Sequence, residues 1–259
     1  MSKSFTSLEK TIDILCSFDM EHQDRSAYEI SKHLNMPLST TYKYLDMLLR
    51  KGFVSKDPDT KRFSLGLTIF KMGNLVAAKM TVLNIAAPHI YSLSKRSGET
   101  VILTVVHGWE ALCVEEIESP KMVKLTIKRG ATIPLHAGAS QKILLAYQDD
   151  AFIDDMIKGR GLAVLNENTI TDPAELEKEL KSIRDQGYAM SDSEVDSGAG
   201  AVAAPIFDHR GKLVSGLTIA GPRDRICDNN RQKLIDMVIE SAKRISSDLG
   251  YMKGTMTVW

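Results

Sequence analysis

The chain has 259 residues, 43% of them hydrophobic and 25% charged, the composition of an ordinary globular protein with enough apolar residues for two domains. Its 33 lysines and arginines balance 33 acids, which excludes a chain held to nucleic acid or membrane by bulk charge. Three cysteines without a CxxC pair (Cys16, Cys113, Cys227) give neither a disulfide framework nor a zinc knuckle. They fit a reducing compartment, and the N-terminal stretch, with acids in its apolar run and no small-residue cleavage site, is not a leader, so the cytoplasm is expected. The most apolar later run, LVAAKMTVLNIAAP, is broken by Lys79 and Asn84 and is too short for a bilayer. Counted by region, residues 1–80 hold 12 bases against 9 acids and residues 81–259 hold 21 against 24, so the basic excess sits at the N-terminal end.

In chain order, Leu8, Ile12, Leu15 and Phe18 at helical spacing behind Ser7 predict a first amphipathic helix. Ser26 with Glu29 three positions on reads as a capping box opening a second, short helix over Ala27, Ile30 and Leu34. Pro37 forces a turn. In PLSTTYKYLDMLLRKGF the stripe Leu38, Thr41, Leu45, Leu48 and Leu49 faces inward, leaving Ser39, Thr40, Lys43, Met47 and Arg50 outward. After Gly52, FVSKD and KRFSLG alternate around Asp57–Thr60 and predict a hairpin, the wing of a helix-turn-helix unit.

Thr68 to about Ala78 reads as a linker helix and Val82 to Arg96 as another helix. Strands are expected over TVILTVV, ALCVEEI and MVKLTIK, then a helix in LHAGASQKILLAY. TDPAELEKELKSIRDQGY carries firm helix signals: Asp172 as N-cap, Pro173 in the first turn, Glu175 at the third position and Gly187 as stop. Two apolar strands around the turn Asp208 to Gly211 and a last helix from about Asp228 to Leu249 complete an α+β second domain.

In helix-turn-helix geometry the start of the second helix meets base edges in the major groove. The short side chains of Ser39 and Thr40 let the helix approach, Lys43 one turn on supplies a phosphate or guanine contact, and Lys61 and Arg62 on the wing supply backbone contacts. Tyr42 and Tyr44 read equally as packing residues or DNA contacts.

The runs SLEKTIDILCSF, SAYEISKHLNMPLSTTYKYLDMLLRKGFV, KRFSLG, LHAGASQKILLAY and GAVAAPIFDHRGKLVSGLTIAGP resemble bacterial transcription regulators of the IclR family nearly end to end. The resemblance implies a winged helix-turn-helix DNA-binding domain over 1–67, a linker helix over 68–80, and a GAF-like effector-binding domain with a central antiparallel sheet over 81–259. It implies a homodimer or dimer of dimers on double-stranded operator DNA, with no enzymatic activity and no cofactor; repressor and activator both remain open, with repressor favoured. The DNA-binding set expected is Ser26, Ser39, Thr40, Tyr42, Lys43, Lys61 and Arg62, of which the resemblance carries Ser39, Thr40, Tyr42 and Lys43; Lys43 stands where the family usually has Arg, without the rigid guanidinium fork.

The effector set it implies is Met122, Leu125, Ala139, Ser140, Ser191, Ala201, Thr218 and Ala220. HAGAS lies where a strand hands over to a helix, and the first-turn amides of Ala139 and Ser140 are expected to take a carboxylate. Ser191 replaces a common Asp or Glu and Ala201 a common Cys, from which a roomier, less polar cavity for a larger or aromatic acid is expected. His136 and Cys113 admit a metal site or a Cys/His pair, but the six histidines show no metal-ligand spacing, so the plainer expectation is no metal and no catalytic residue. Ser140 and Lys142 lack the SxxK spacing of a serine acylase. The alternative in another class is an enzyme transforming a small acid, with an appended DNA-binding head.

Overall fold

The structure, a computed structural model, describes residues 7–252. The chain divides into two compact units, at Met80 and Thr81. The first contains α1 (Ser7–Cys16), β1 (Asp24–Arg25), α2 (Ala27–His33), α3 (Leu38–Arg50), β2 (Val54–Lys56), β3 (Phe63–Leu65) and α4 (Leu67–Lys79). The three strands form an antiparallel sheet in the order β1-β3-β2, so the wing hairpin gains a third strand from the α1–α2 connection. Ile14, Ile30, Leu45, Leu48, Val54 and Phe63 make the core.

Two stripes differ from the sequence expectation. In α1 the buried residue is Ile14; of the expected stripe Leu15 and Phe18 pack on the core, while Leu8 and Ile12 are 70% and 49% exposed. This helix is apolar on two sides, and periodicity alone does not choose between them. In α3 the buried set is Thr41, Leu45 and Leu48, and Leu38 and Leu49 at its ends lie on the surface. No residue of α4 is buried, and Leu67, Phe70, Leu75 and Val76 are among its exposed apolar side chains.

The second unit runs α5 (Thr81–Ser97), β4 (Thr100–His107), β5 (Glu110–Ile117), β6 (Thr132–Pro134), α6 (Ala139–Leu145), α7 (Asp150–Arg160), α8 (Pro173–Gln186), β7 (Ala189–Asp192), β8 (Ala199–Phe207), β9 (Leu213–Pro222), one π-helical turn (Asp224–Asp228) and α9 (Arg231–Asp248). Six strands form one antiparallel sheet, β6-β5-β4-β9-β8-β7. Register sets its two faces: Ile102 stands beside Thr218, Thr218 beside Ala203, and Ala201 beside Ala220 and Ser191. Ala203 and Ala189 on this face pack with Ile143, Leu144, Leu176 and Leu180 of α6 and α8. Val101, Ile219 and Val202 alternate to the other face, and α9 lies along β8 and pairs with α5.

α8 follows its signals closely: Asp172 Oδ1 accepts the Glu175 amide at 2.9 Å, and Gly187 turns the chain at φ +77°. The expected strand MVKLTIK does not form. Side chains hold its backbone where a ladder would: Thr100 Oγ1 donates to the Leu125 carbonyl (2.7 Å), Arg225 to that of Val123 (2.8 Å), and the Cys113 thiol to that of Ile127 (3.6 Å). β6 pairs with β5 instead. No helix among the described residues is long and apolar enough to cross a membrane.

Candidate nucleic-acid interface and ligand pocket

Pro37 opens α3, its carbonyl accepting the amides of Thr40 and Thr41 at 3.0 Å. Ser39, Tyr42 and Lys43 are exposed along the helix and Thr40 is half-exposed. Lys43 makes no ion pair among the described residues, whereas Arg50 at the far end pairs with Asp46 at 3.0 Å. The two tyrosines separate: Tyr42 is 51% exposed, and Tyr44 packs against the core.

Ser26 caps α2. Its hydroxyl accepts the Glu29 amide at 3.2 Å while its own amide donates to the Glu29 carboxylate at 2.7 Å, the reciprocal pair that the spacing predicts. These bonds, with Arg62 beside it, hold the Glu29 carboxyl below the usual carboxylate range. Arg62 is not a free cation on the wing: it pairs with Asp24 and donates to Glu29 at 2.8 Å and to the Asp24 carbonyl at 3.1 Å. Two surface carboxylates share the guanidinium, so a phosphate at the wing would compete with them for it. Lys61 sits at φ +58° with its ammonium against the Pro58 carbonyl.

In the second unit α6 lies over the sheet and leaves a cavity of about 40 Å³ between them. Seven of the eight residues expected there do line it: Leu125, Ala139, Ser140, Ser191, Ala201, Thr218 and Ala220. Met122 does not; it is wholly exposed, because the strand meant to aim it inward is absent. The expected roominess is corrected as well. Ala201 and Ala220 pack with Ile102, Leu125 and Ile127, and little space remains between them.

The polar groups of this cavity are unequal. Ser140 Oγ is 3.0 Å from Thr104 Oγ1 and is committed to holding α6 on β4. The amide of Gly138, just ahead of α6, donates to Glu194 Oε2 at 2.9 Å, so an internal carboxylate already holds that part of the helix start. Gly138 sits at φ +92°, a backbone conformation that favours glycine at this turn. Thr218 Oγ1, in contrast, is buried on the cavity wall with no hydrogen-bond partner among the described residues.

Sequence reasoning set Lys142 aside as an acylase lysine and passed over Glu194. Lys142 is 1% exposed, and its ammonium lies 2.7 Å from Glu194 Oε1 and 2.8 Å from Glu179 Oε1. Glu194 belongs to the loop that closes the cavity and is pinned again where Thr169 Oγ1 donates to its carbonyl at 2.7 Å. The readable signal was one lysine inside the apolar run AGASQKILLA, where a solvated charge has no room. His136 bonds the Ala163 carbonyl at 2.9 Å. Burial, then the neighbouring Glu116 and Glu115, push the Cys113 thiol up to about 12, which suppresses the thiolate a nucleophile needs.

Comparison with known proteins decides which family the chain belongs to. The family model for the bacterial transcriptional regulator IclR C-terminal domain matches residues 74–247, and that for the IclR helix-turn-helix domain matches residues 7–58. The chain belongs to the IclR family. It is similar to the HTH-type transcriptional repressor AllR of Escherichia coli K12, 31% identical over 248 residues, covering 96% of this chain and 92% of that one. The crystal structure of the Thermotoga maritima IclR is 33% identical with a TM-score of 0.74, covering 95% of this chain and 99% of that chain. An IclR homolog from Microbacterium hydrocarbonoxydans, solved with 4-hydroxybenzoate, shares the fold at a TM-score of 0.84 and 22% identity, over 94% and 99% of the two chains. Members of this family are transcriptional regulators, not enzymes.

Proposed function

We propose that the protein is a cytoplasmic repressor that reads operator DNA with Ser39, Thr40, Tyr42 and Lys43 of α3, and that a small organic acid in the α6–sheet cavity controls this binding. The observation that carries the effector half is Thr218, a buried hydroxyl facing a cavity with its hydrogen bond unmade, which a ligand oxygen would complete. A cavity of about 40 Å³ suits an acid of few heavy atoms, and Ser191, Ala201, Ala220 and Leu125 supply its mostly apolar wall. Thr218 anchors the ligand oxygen together with the first-turn amides of Ala139 and Ser140, while Glu194 holds the Gly138 amide ahead of the helix.

Exposure of Ser39, Tyr42 and the unpaired Lys43 supports the DNA half. Ser26 and Lys61 contribute at its margin; Arg62 acts by holding the wing to α2. A second copy of the chain is the expected cover for the apolar surface of α1 and α4, Leu8, Ile12, Leu67, Phe70, Leu75 and Val76, and two copies supply readers for two half-sites. The linker at 68–80 is where effector binding is transmitted, by favouring one arrangement of the domains over another. The repressor sign is drawn from AllR.

The test is a mobility-shift assay on DNA flanking the protein's own gene, across a salt series, with and without two- to four-carbon carboxylates. A specific complex that one such acid releases is the expected result. Equal binding to random DNA, or a complex indifferent to every acid that raises the melting temperature, refutes the respective half.

A further inference from the structure

The larger cavity of the second unit is not the one under α6. About 590 Å³ opens between the end of α8, the strand β8 and α9, within the range of small-molecule sites. It exists because β7 pairs with β8 only from Gly200 to Ala203, so from Ala204 onward β8 has no strand on that side. Tyr147, Phe207 and Tyr251 wall it, with ring centroids 5.2 Å apart at both contacts, one edge-on and one tilted.

Two cations stand in this wall. Arg184 spends one guanidinium bond, to the Ala146 carbonyl at 3.2 Å, and Lys243 makes no ion pair among the described residues; Asp185 is the one acid of the lining. The hydroxyls of Tyr147 and Tyr251 make no hydrogen bond among the described residues either, while Ser246 is spent on the Ala242 carbonyl and the Phe207 amide. A wall of three aromatic rings suits a flat apolar body, and unspent cations and hydroxyls select an anionic oxygen group attached to it.

We propose that this cavity is a second ligand site, for a small aromatic carboxylate, separate from the α6–sheet pocket. The two share elements: Tyr147 follows α6, whose other end lines the first pocket, and β8 carries Ala201 to one and Ala204 to the other. A ligand here therefore bears on the same helix and strand that carry the first site.

Benzoate is the probe, titrated by calorimetry into the full chain and into the Lys243→Glu and Thr218→Val variants. Lys243 is exposed and unpaired, so its variant folds, and a melting curve confirms it. One saturable site per chain is expected, weakened about tenfold by Lys243→Glu and unchanged by Thr218→Val, with cyclohexanecarboxylate binding less tightly. Absence of saturation, or loss in Thr218→Val with Lys243→Glu unaffected, overturns the proposal. So does equal weakening in both variants, or a changed sedimentation coefficient of ligand-free Lys243→Glu, which would seat a second copy of the chain in the cavity.

Discussion

Two short stretches of this chain read almost alike and end up as opposites. PLSTTYK opens α3 and AGASQK opens α6; each sets small and hydroxyl residues at a helix start with a lysine in the second turn or just before it. In α3 the serine, Tyr42 and Lys43 face water, while every residue of α6 is buried, its serine tied to Thr104 and its lysine to two carboxylates. One helix presents its polar groups to something outside the chain, and the other spends them inside. The difference comes from what the tertiary fold brings up to each helix, which local sequence does not contain.

The sharpest way to break this contrast is to remove each lysine in turn. Lys142→Ala strands Glu194, whose side chain is 9% exposed, beside Glu179 with no cation between them. Breaking a buried pair on one side costs about 3 kcal/mol or more, even with Glu179 partly solvated. Urea unfolding of the second unit should show that loss as a lower midpoint with an unchanged slope. Lys43→Ala should leave the midpoint where it was. Equal midpoints for the two variants would end the comparison.

Thr218 sharpens it on the sensing side. Thr218→Val removes an unpartnered buried hydroxyl, so the free protein should melt at the same temperature or slightly higher, while the effector binds about tenfold more weakly. Ser140→Ala is the control with the reverse pattern, since its hydroxyl serves the fold through Thr104. A thermal-shift titration reads both. Loss of melting temperature in Thr218→Val would show that the hydroxyl has a structural partner after all.

How much of this was legible follows the same division. Where a signal acts through neighbours in sequence it read true: the capping box of Ser26 and Glu29, the N-cap Asp172, the left-handed Gly187. The α7 signal was of this kind and was passed over, Asp149 accepting the Phe152 amide at 2.8 Å. The strand expected at MVKLTIK failed because its hydrogen bonds go to Thr100, Arg225 and Cys113, distant side chains that alternation does not encode. Most of the cavity wall was carried by resemblance, and its volume by none of it, because volume is set by how Ile102, Leu125 and Ile127 close on small neighbours. The ion triad at Lys142 joins residues from α6, α8 and a loop, too far apart in sequence to be read together.

On the DNA side, Lys43→Ala should weaken operator binding by about fivefold, at a cost of roughly 1 kcal/mol for one exposed contact. A salt slope shallower by about one would place the ammonium on a phosphate, and relaxed base preference at one position would place it on a guanine. Lys43→Arg separates these further: it should hold affinity in both cases and increase base discrimination only at guanine, where the guanidinium fork fits.

The smallest effect is expected from Arg62→Ala, and its pH dependence is the informative part. Arg62 pairs with Asp24 and Glu29 at the surface, so removing it should cost little stability at pH 7 and weaken operator binding less than Lys43→Ala does. Glu29 has its carboxyl held below the ordinary value in the folded state, partly by Arg62. Such a group adds stability above the unfolded pKa and loses it as pH falls through the lowered folded value. Without Arg62 the folded value rises toward the unfolded one, and less remains to be lost. The gap between wild type and Arg62→Ala, measured by thermal unfolding, should therefore be present at neutral pH and close as the pH drops below the usual carboxylate range. A gap that persists in acid would mean that Arg62 acts through packing of its stem on the wing, and that the neutralisation by Asp24 and Glu29 is incidental.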